Sequence, residues 1–157
     1  MTRLLKNQVL HIMKYTVEVE INQPIDKVIE LFDNPDNLKK WMDDLQSFEY
    51  ISGKPGAPGA KSKLKFKMGK REIEMIETIV AYNLPNEFSA IYEAKGVYNT
   101  VAQRFVKITD NRTRLYTETE FEFKNLMMKF MGFLMPGAFK KQTLKYQTDF
   151  KEFAEAN

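Results

Sequence analysis

KSKLKFKMGKREIEMIETIV, residues 61–80, alternates lysine with mostly apolar residues as far as Gly69-Lys70, then returns with glutamates where the lysines stood. Alternation puts Leu64, Phe66 and Met68 on one face and Lys61, Lys63, Lys65 and Lys67 on the other, the pattern of a half-buried strand. A two-residue turn with glycine first suits a type II′ hairpin. That turn pairs Met68 with Arg71, Lys67 with Glu72, Phe66 with Ile73, Lys65 with Glu74 and Leu64 with Met75. The lysine–glutamate pairs then share one face and the apolar pairs the other. Opposite charges across such a pair stabilise it by roughly 0.2–1 kcal/mol. The lysine ladder therefore reads as a solvated, self-paired face and not as a nucleic-acid site. The same count sets Glu77 on the apolar face, opposite Ser62.

Working outward, the chain before this hairpin holds one strand and two short helices. Tyr15, Val17, Val19 and Ile21 alternate with charged or polar neighbours from Lys14 to Ile21. Asn22-Gln23-Pro24 stops that strand, and Pro24 with Asp26 suits the first turn of a helix. Ile25, Val28, Ile29 and Phe32 have helical spacing. A second short helix is expected from about Pro35 to Trp41. A strand over Leu45 to Ile51 leads into the Gly-rich loop Gly53 to Gly59. That loop lacks the Gly-Lys-Ser/Thr ending of a phosphate-binding P-loop, so it reads as a rim loop.

Beyond the hairpin, strands are expected over Glu87–Ala94, Val97–Ile108 and Thr113–Phe123, turned at Lys95-Gly96 and Asp110-Asn111. The last thirty residues are helical in pattern, and Pro136 either kinks that helix or begins another. Grouped strands with helices at the ends predict an α+β fold. The expected form is a curved antiparallel sheet of six to seven strands wrapped around a long C-terminal helix.

Length and composition set limits. With 157 residues, 43% hydrophobic and 29% charged, the chain suits one globular domain. Residues 1–12 show no clean period and are expected to be an N-terminal tail, with the domain over 13–157. Cysteine is absent, which excludes disulfides, thiolate nucleophiles and Cys-based metal sites. The single histidine, His11, falls in the expected tail. No histidine-based metal site or catalytic triad is therefore expected, nor any cofactor. A net charge of +3 is too small for a nucleic-acid footprint. No apolar run approaches the ~20 residues of a membrane span. A cytoplasmic protein without stable membrane insertion is the expectation.

Several local sequences resemble the START-like (SRPBCC) superfamily, which holds polyketide cyclases, lipid-transfer domains and pollen-allergen proteins in one helix-grip fold. The matching pieces are Val17-Glu18-Val19-Glu20-Ile21 with the following Asn22 to Val28, and Asn34-Pro35-Asp36-Asn37-Leu38-Lys39-Lys40-Trp41. The Gly-rich stretch and the terminal helix match as well. The resemblance spans about Lys14 to Glu155. It implies an internal cavity for a small hydrophobic ligand, while its members range over carriers, cyclases and partner-binding modules.

Candidate lining residues follow from the faces. The first hairpin supplies Leu64, Phe66, Ile73, Met75 and Glu77. With Asp110-Asn111 as the turn, Arg104 faces Thr117. Thr117 and Phe121 lie on the less charged face of their strand, which brings Arg104 inward as a partner for Glu77. That pair reads either as a polar anchor for a ligand or as a structural ion pair. Tyr92 and Tyr98 fall on opposite faces if Lys95-Gly96 is a two-residue turn, and Tyr98 is carried as the candidate. Met127, Phe130 and Leu134 are candidates from the helical end, where four methionines within nine residues fit an adaptable apolar surface or ordinary core filling. A membrane contact is a further reading there, with Lys124 and Lys129 beside the apolar residues. Three functions stay open: binding or transport of a small hydrophobic molecule, a cyclase or dehydratase using the same cavity, and a protein-partner module using the charged sheet face. The missing histidine favours binding.

Overall fold

The computed structural model describes residues 11–157. Its order is β1 (His11–Ile21), α1 (Ile25–Phe32), a 3-10 turn (Pro35–Asn37), α2 (Leu38–Trp41), β2 (Leu45–Ser52), β3 (Lys61–Met68), β4 (Arg71–Asn83), β5 (Glu87–Ala94), β6 (Val97–Thr109), β7 (Arg112–Phe123), α3 (Leu126–Leu134) and α4 (Pro136–Glu155). The seven strands make one antiparallel sheet in the order β1-β7-β6-β5-β4-β3-β2. This is the α+β helix-grip arrangement. No described helix is long and apolar enough to cross a membrane.

β1 begins at His11, before the alternation does, and pairs His11 with Phe123 and Ile12 with Glu122. The last two residues of the expected tail therefore belong to the sheet; residues 1–10 lie outside the described residues. Alternation concealed this start because Ile12 is apolar yet points outward into solvent. At the other end, Pro136 starts a helix of its own, so α3 and α4 are separate.

α4 is fastened along β1. The Tyr15 hydroxyl meets Phe139 O at 3.0 Å and Thr143 Oγ1 at 2.8 Å. Lys151 Nζ donates to Glu20 O at 2.6 Å, and the Asn22 amide donates to Glu155 Oε1 at 2.7 Å. The main core forms where α4, α1 and α2 meet the sheet: Ile21, Val28, Leu31, Trp41, Phe105, Leu115, Phe150 and Ala154. Phe150 lies at its centre, edge-on to Phe32 and Trp41 with ring centroids 5.6 and 5.1 Å away. A smaller cluster of Leu45, Leu64 and Phe66 closes the far side of the sheet, with Tyr146 of α4 packed against it.

The first hairpin has the expected register, Met68 opposite Arg71 and Ser62 opposite Glu77. Gly69 has φ +63° while, among the described residues, no non-glycine residue has positive φ. That combination fits type II′, which needs it only at the first turn position. Lys63 and Lys65 both reach Glu74, at 3.5 and 4.0 Å, so the ladder pairs within itself. Bulges interrupt other ladders, between Ile79 and Ala81 and between Lys107 and Thr109. Each extra residue bends its strand and increases local twist.

The core arrangement makes Phe150 the residue whose loss is felt most. Phe150→Ala should cost roughly 3–5 kcal/mol in urea denaturation, whereas Val106→Ala on the outer face should change stability by less than about 0.5 kcal/mol. Equal effects would show that the aromatic cluster does not carry the fold.

Candidate ligand site

The ladders align one cross-strand row over the middle of the sheet's inner face. Ser62 of β3 is opposite Glu77 of β4, Glu77 is opposite Tyr92 of β5, Tyr92 is opposite Asn99 of β6, and Asn99 is opposite Phe121 of β7. Directly paired residues point to the same face, so four consecutive strands each contribute a polar side chain to the concave side. Apolar residues flank the row: Leu64 and Phe66 on β3, Ile73 and Met75 on β4, and Val97 and Val101 on β6.

Glu77 is buried, and the Tyr92 hydroxyl donates to its Oε2 at 2.8 Å. Among the described residues no lysine or arginine forms an ion pair with it. Burial pushes the Glu77 carboxyl above its ordinary range, and the Tyr92 hydrogen bond only partly opposes this. Tyr92 is itself driven well up, by burial first and then by the neighbouring carboxylate. Next in the row, Asn99 Oδ1 is buried without a hydrogen-bond partner, as is Gln147 Oε1 on α4. Orphaned buried acceptors are rare, because each costs about 1–3 kcal/mol of desolvation. The row thus offers a carboxylate and an amide oxygen able to accept hydrogen bonds, beside a phenol.

The inner face is not sealed. Ile73, Met75, Tyr92, Val97, Asn99, Val101 and Phe121 all retain partial accessibility although they face the helix layer. Thr117 is fully covered, beneath α4, where Gln147 Nε2 donates to its hydroxyl and Gln103 Nε2 lies 3.2 Å away. Phe121 stacks with Phe123 and meets Phe139 at 4.9 Å, forming an aromatic wall at the α3 end. Among the described residues no three His, Cys, Asp or Glu side chains converge as a metal site would need.

Several expected lining residues lie elsewhere. Arg104 is opposite Tyr116, not Thr117, and its guanidinium lies 4.5 Å from the Tyr116 ring centroid on the outer face. The expected turn at Asp110-Asn111 is present, with Thr109 opposite Arg112, but the bulge beyond it shifts the register by one residue. A shift of one sends every later side chain to the other face. Tyr98 also faces outward, opposite Glu93, with Lys124 Nζ 4.6 Å from its ring centroid. Tyr92 is the inward tyrosine of the two. Met127, Phe130 and Leu134 point to solvent, while Met128 and Met131 are the half-buried methionines of α3. Asn99 was legible and missed, since the Lys95-Gly96 turn alone sets it opposite Tyr92. Gln147 carried no signal, because its neighbour is chosen by how α4 docks.

Residues 13–150 match the family model described as polyketide cyclase/dehydrase and lipid transport. The chain belongs to this family. The matched span runs from β1 through most of α4 and contains the whole polar row, within the START-like superfamily. No curated protein matches the chain in sequence. Among solved structures, the Zhui aromatase/cyclase from Streptomyces sp. R1128 superposes with a TM-score of 0.78 at 13% identity, over 92% of this chain and 94% of that one. A conserved protein from Geobacillus kaustophilus gives 0.75 at 15% identity, over 90% and 95%. Norcoclaurine synthase from Thalictrum flavum, in complex with dopamine and hydroxybenzaldehyde, gives 0.71 at 16% identity, over 98% and 92%. At such identities the likeness is one of fold.

The raised Glu77 value has a consequence for stability. The folded chain holds the Glu77 proton more tightly than the unfolded chain does. This contribution is complete below the ordinary glutamate value near 4.5 and is lost as pH rises through the raised folded value. Glu77→Gln should therefore gain melting temperature over the native chain as pH climbs from about 4.5 to neutrality, and show no such gain below it. Melts across this range that show one constant difference would mean that Glu77 does not titrate out of its ordinary range.

Proposed function

We propose that the chain binds a small hydrophobic molecule, lipid or polyketide-like, between the sheet and α4, and orients it on the Glu77–Tyr92–Asn99 row. The observation that carries this reading is a buried carboxylate with a phenol as its partner and no counter-cation among the described residues, on an inner face that stays partly accessible. A folded chain without a ligand gains nothing from such an arrangement, since removing a carboxylate from water is costly unless it is compensated. A ligand that brings a hydroxyl, phenol or amine to Glu77 and Asn99 compensates it. Ligand pockets commonly combine an apolar lining with a few convergent polar groups of this kind. Transport of such a molecule is the role this reading favours, in keeping with the family's description.

A second reading is enzymatic. A carboxyl raised by burial is a better proton acceptor than an ordinary carboxylate, and two of the similar structures are named as a cyclase and a synthase. In that case Glu77 moves a proton on the bound molecule instead of only orienting it. The partner-module reading is less favoured. Part of the outer-face charge is taken up within the sheet: Lys14 with Glu120, Arg112 and Arg114 with Glu20, and Lys63 and Lys65 with Glu74.

Native mass spectrometry of freshly purified protein should show a co-purified apolar molecule, and N-phenylnaphthylamine should bind one per chain and be displaced by it. Glu77→Gln and Tyr92→Phe should each weaken the natural molecule by on the order of 1–3 kcal/mol, while Arg104→Met leaves it unchanged. Absence of any bound molecule together with no dye binding would sink both readings. Conversion of the molecule to a new mass by the native chain, abolished in Glu77→Gln, would select the enzyme.

A further inference from the structure

α3 exposes its apolar side. Leu126, Met127, Phe130 and Phe133 are 84, 71, 61 and 72% exposed, and Leu134 is also exposed. At about 100° per residue these five fall within an arc of roughly 120°, so they form one continuous stripe. The half-buried Met128 lies opposite the stripe, and the half-buried Met131 just beyond its edge. The helix is held in this orientation at its start. Asn125 caps it by accepting the Met128 amide at 2.8 Å, and the Lys124 amide donates to Gly96 O at 2.9 Å. Gly96 has φ +78°, and a Cβ there would fall on the Asn125 side chain. Only glycine lets the β5–β6 turn tuck under the cap, and with it the stripe is aimed at solvent.

Along the chain the charge next to the stripe has one sign, although Lys145 of α4 is paired with Asp149. From Lys124 to Thr148 the chain has five lysines, at 124, 129, 140, 141 and 145, and no acidic residue at all. Lys129 borders the stripe on α3, and Lys95 lies in the turn beneath the cap. The nearest acidic residues along the chain are Glu122 and Asp149. Elsewhere in the molecule basic and acidic residues alternate and pair across the sheet. An apolar stripe with Lys129 on its border and further lysines in the adjoining segments is complementary to an apolar layer edged with negative charge.

We propose that α3 is a docking element for the surface of an anionic phospholipid bilayer. Leu126, Phe130 and Phe133 sink into the acyl boundary while the lysines meet the headgroups. A helix with an apolar face and basic borders lies in the interface without spanning it. The proposal stands independently of whether the interior holds a ligand.

Vesicle sedimentation tests it, with phosphatidylcholine vesicles compared with vesicles of phosphatidylcholine and phosphatidylserine. The native chain should pellet with the anionic vesicles and be released by salt. Phe130→Ser with Phe133→Ser should weaken binding about tenfold or more, and Lys129→Gln about fivefold. Both should keep the native melting temperature, since the altered side chains touch solvent. Phe133→Trp gives a second readout, as its emission should move to the blue on adding anionic vesicles. Failure of the native chain to pellet would overturn the proposal. So would unchanged binding in the double variant, or a dimer in sedimentation equilibrium that the double variant dissociates, which would assign the stripe to a second copy.

Discussion

One long helix, with only the short α1 and α2 beside it, has to cover seven strands. Strands lie about 4.8 Å apart, so a flat sheet of this size is roughly 29 Å across, whereas a helix with its side chains is about 10–12 Å thick. Tyr15, Glu20 and Asn22 commit α4 to the β1 side of the sheet. The far strands can then reach the helix layer only by curling, which the bulges in β2, β4 and β6 assist. Curling brings Phe66 of β3 to within 6.5 Å of Tyr146. It does not bring the inner faces of β4, β5 and β6 into close packing along their length.

The polar row lies in that incompletely covered middle. Its placement is economical: the ends of the interior are closed by aromatic and aliphatic clusters, around Phe150 on one side and Phe121 with Phe139 on the other. Between them Glu77 and Asn99 keep unmet hydrogen-bonding capacity. On the proposed reading, stability and function are opposed here. An apolar residue at position 77 would suit the core better, and the carboxylate is kept for the bound molecule that meets it.

α3 shows the same opposition at the surface. Its partly buried side is supplied by Met128 and Met131, and the larger share of its apolar side chains faces outward. A folded chain in water gains little from five exposed apolar residues on one short helix. The cap at Asn125 and the close approach of Gly96 fix that orientation all the same.

Much of this was legible in residues that speak through local chemistry. The strictly alternating Lys61–Met68 strand and the Gly69-Lys70 turn determined their own register, and with it the inward direction of Glu77. Pro24, Asn34-Pro35 and Pro136 marked helix boundaries because proline cannot continue an existing helix. The order of elements implied the helix-grip fold. What the sequence could not determine was anything that depends on a single unpaired residue or on the docking of one element upon another. The bulge before Thr109 leaves no mark in composition, yet it turned Arg104 outward. β1 runs on to His11 because β7 offers it a partner, not because its own pattern continues. The outward aim of Met127, Phe130 and Leu134 was set by the contact of α3 with the β5–β6 turn, since a helix that is apolar all round has no preferred face until something packs against one side.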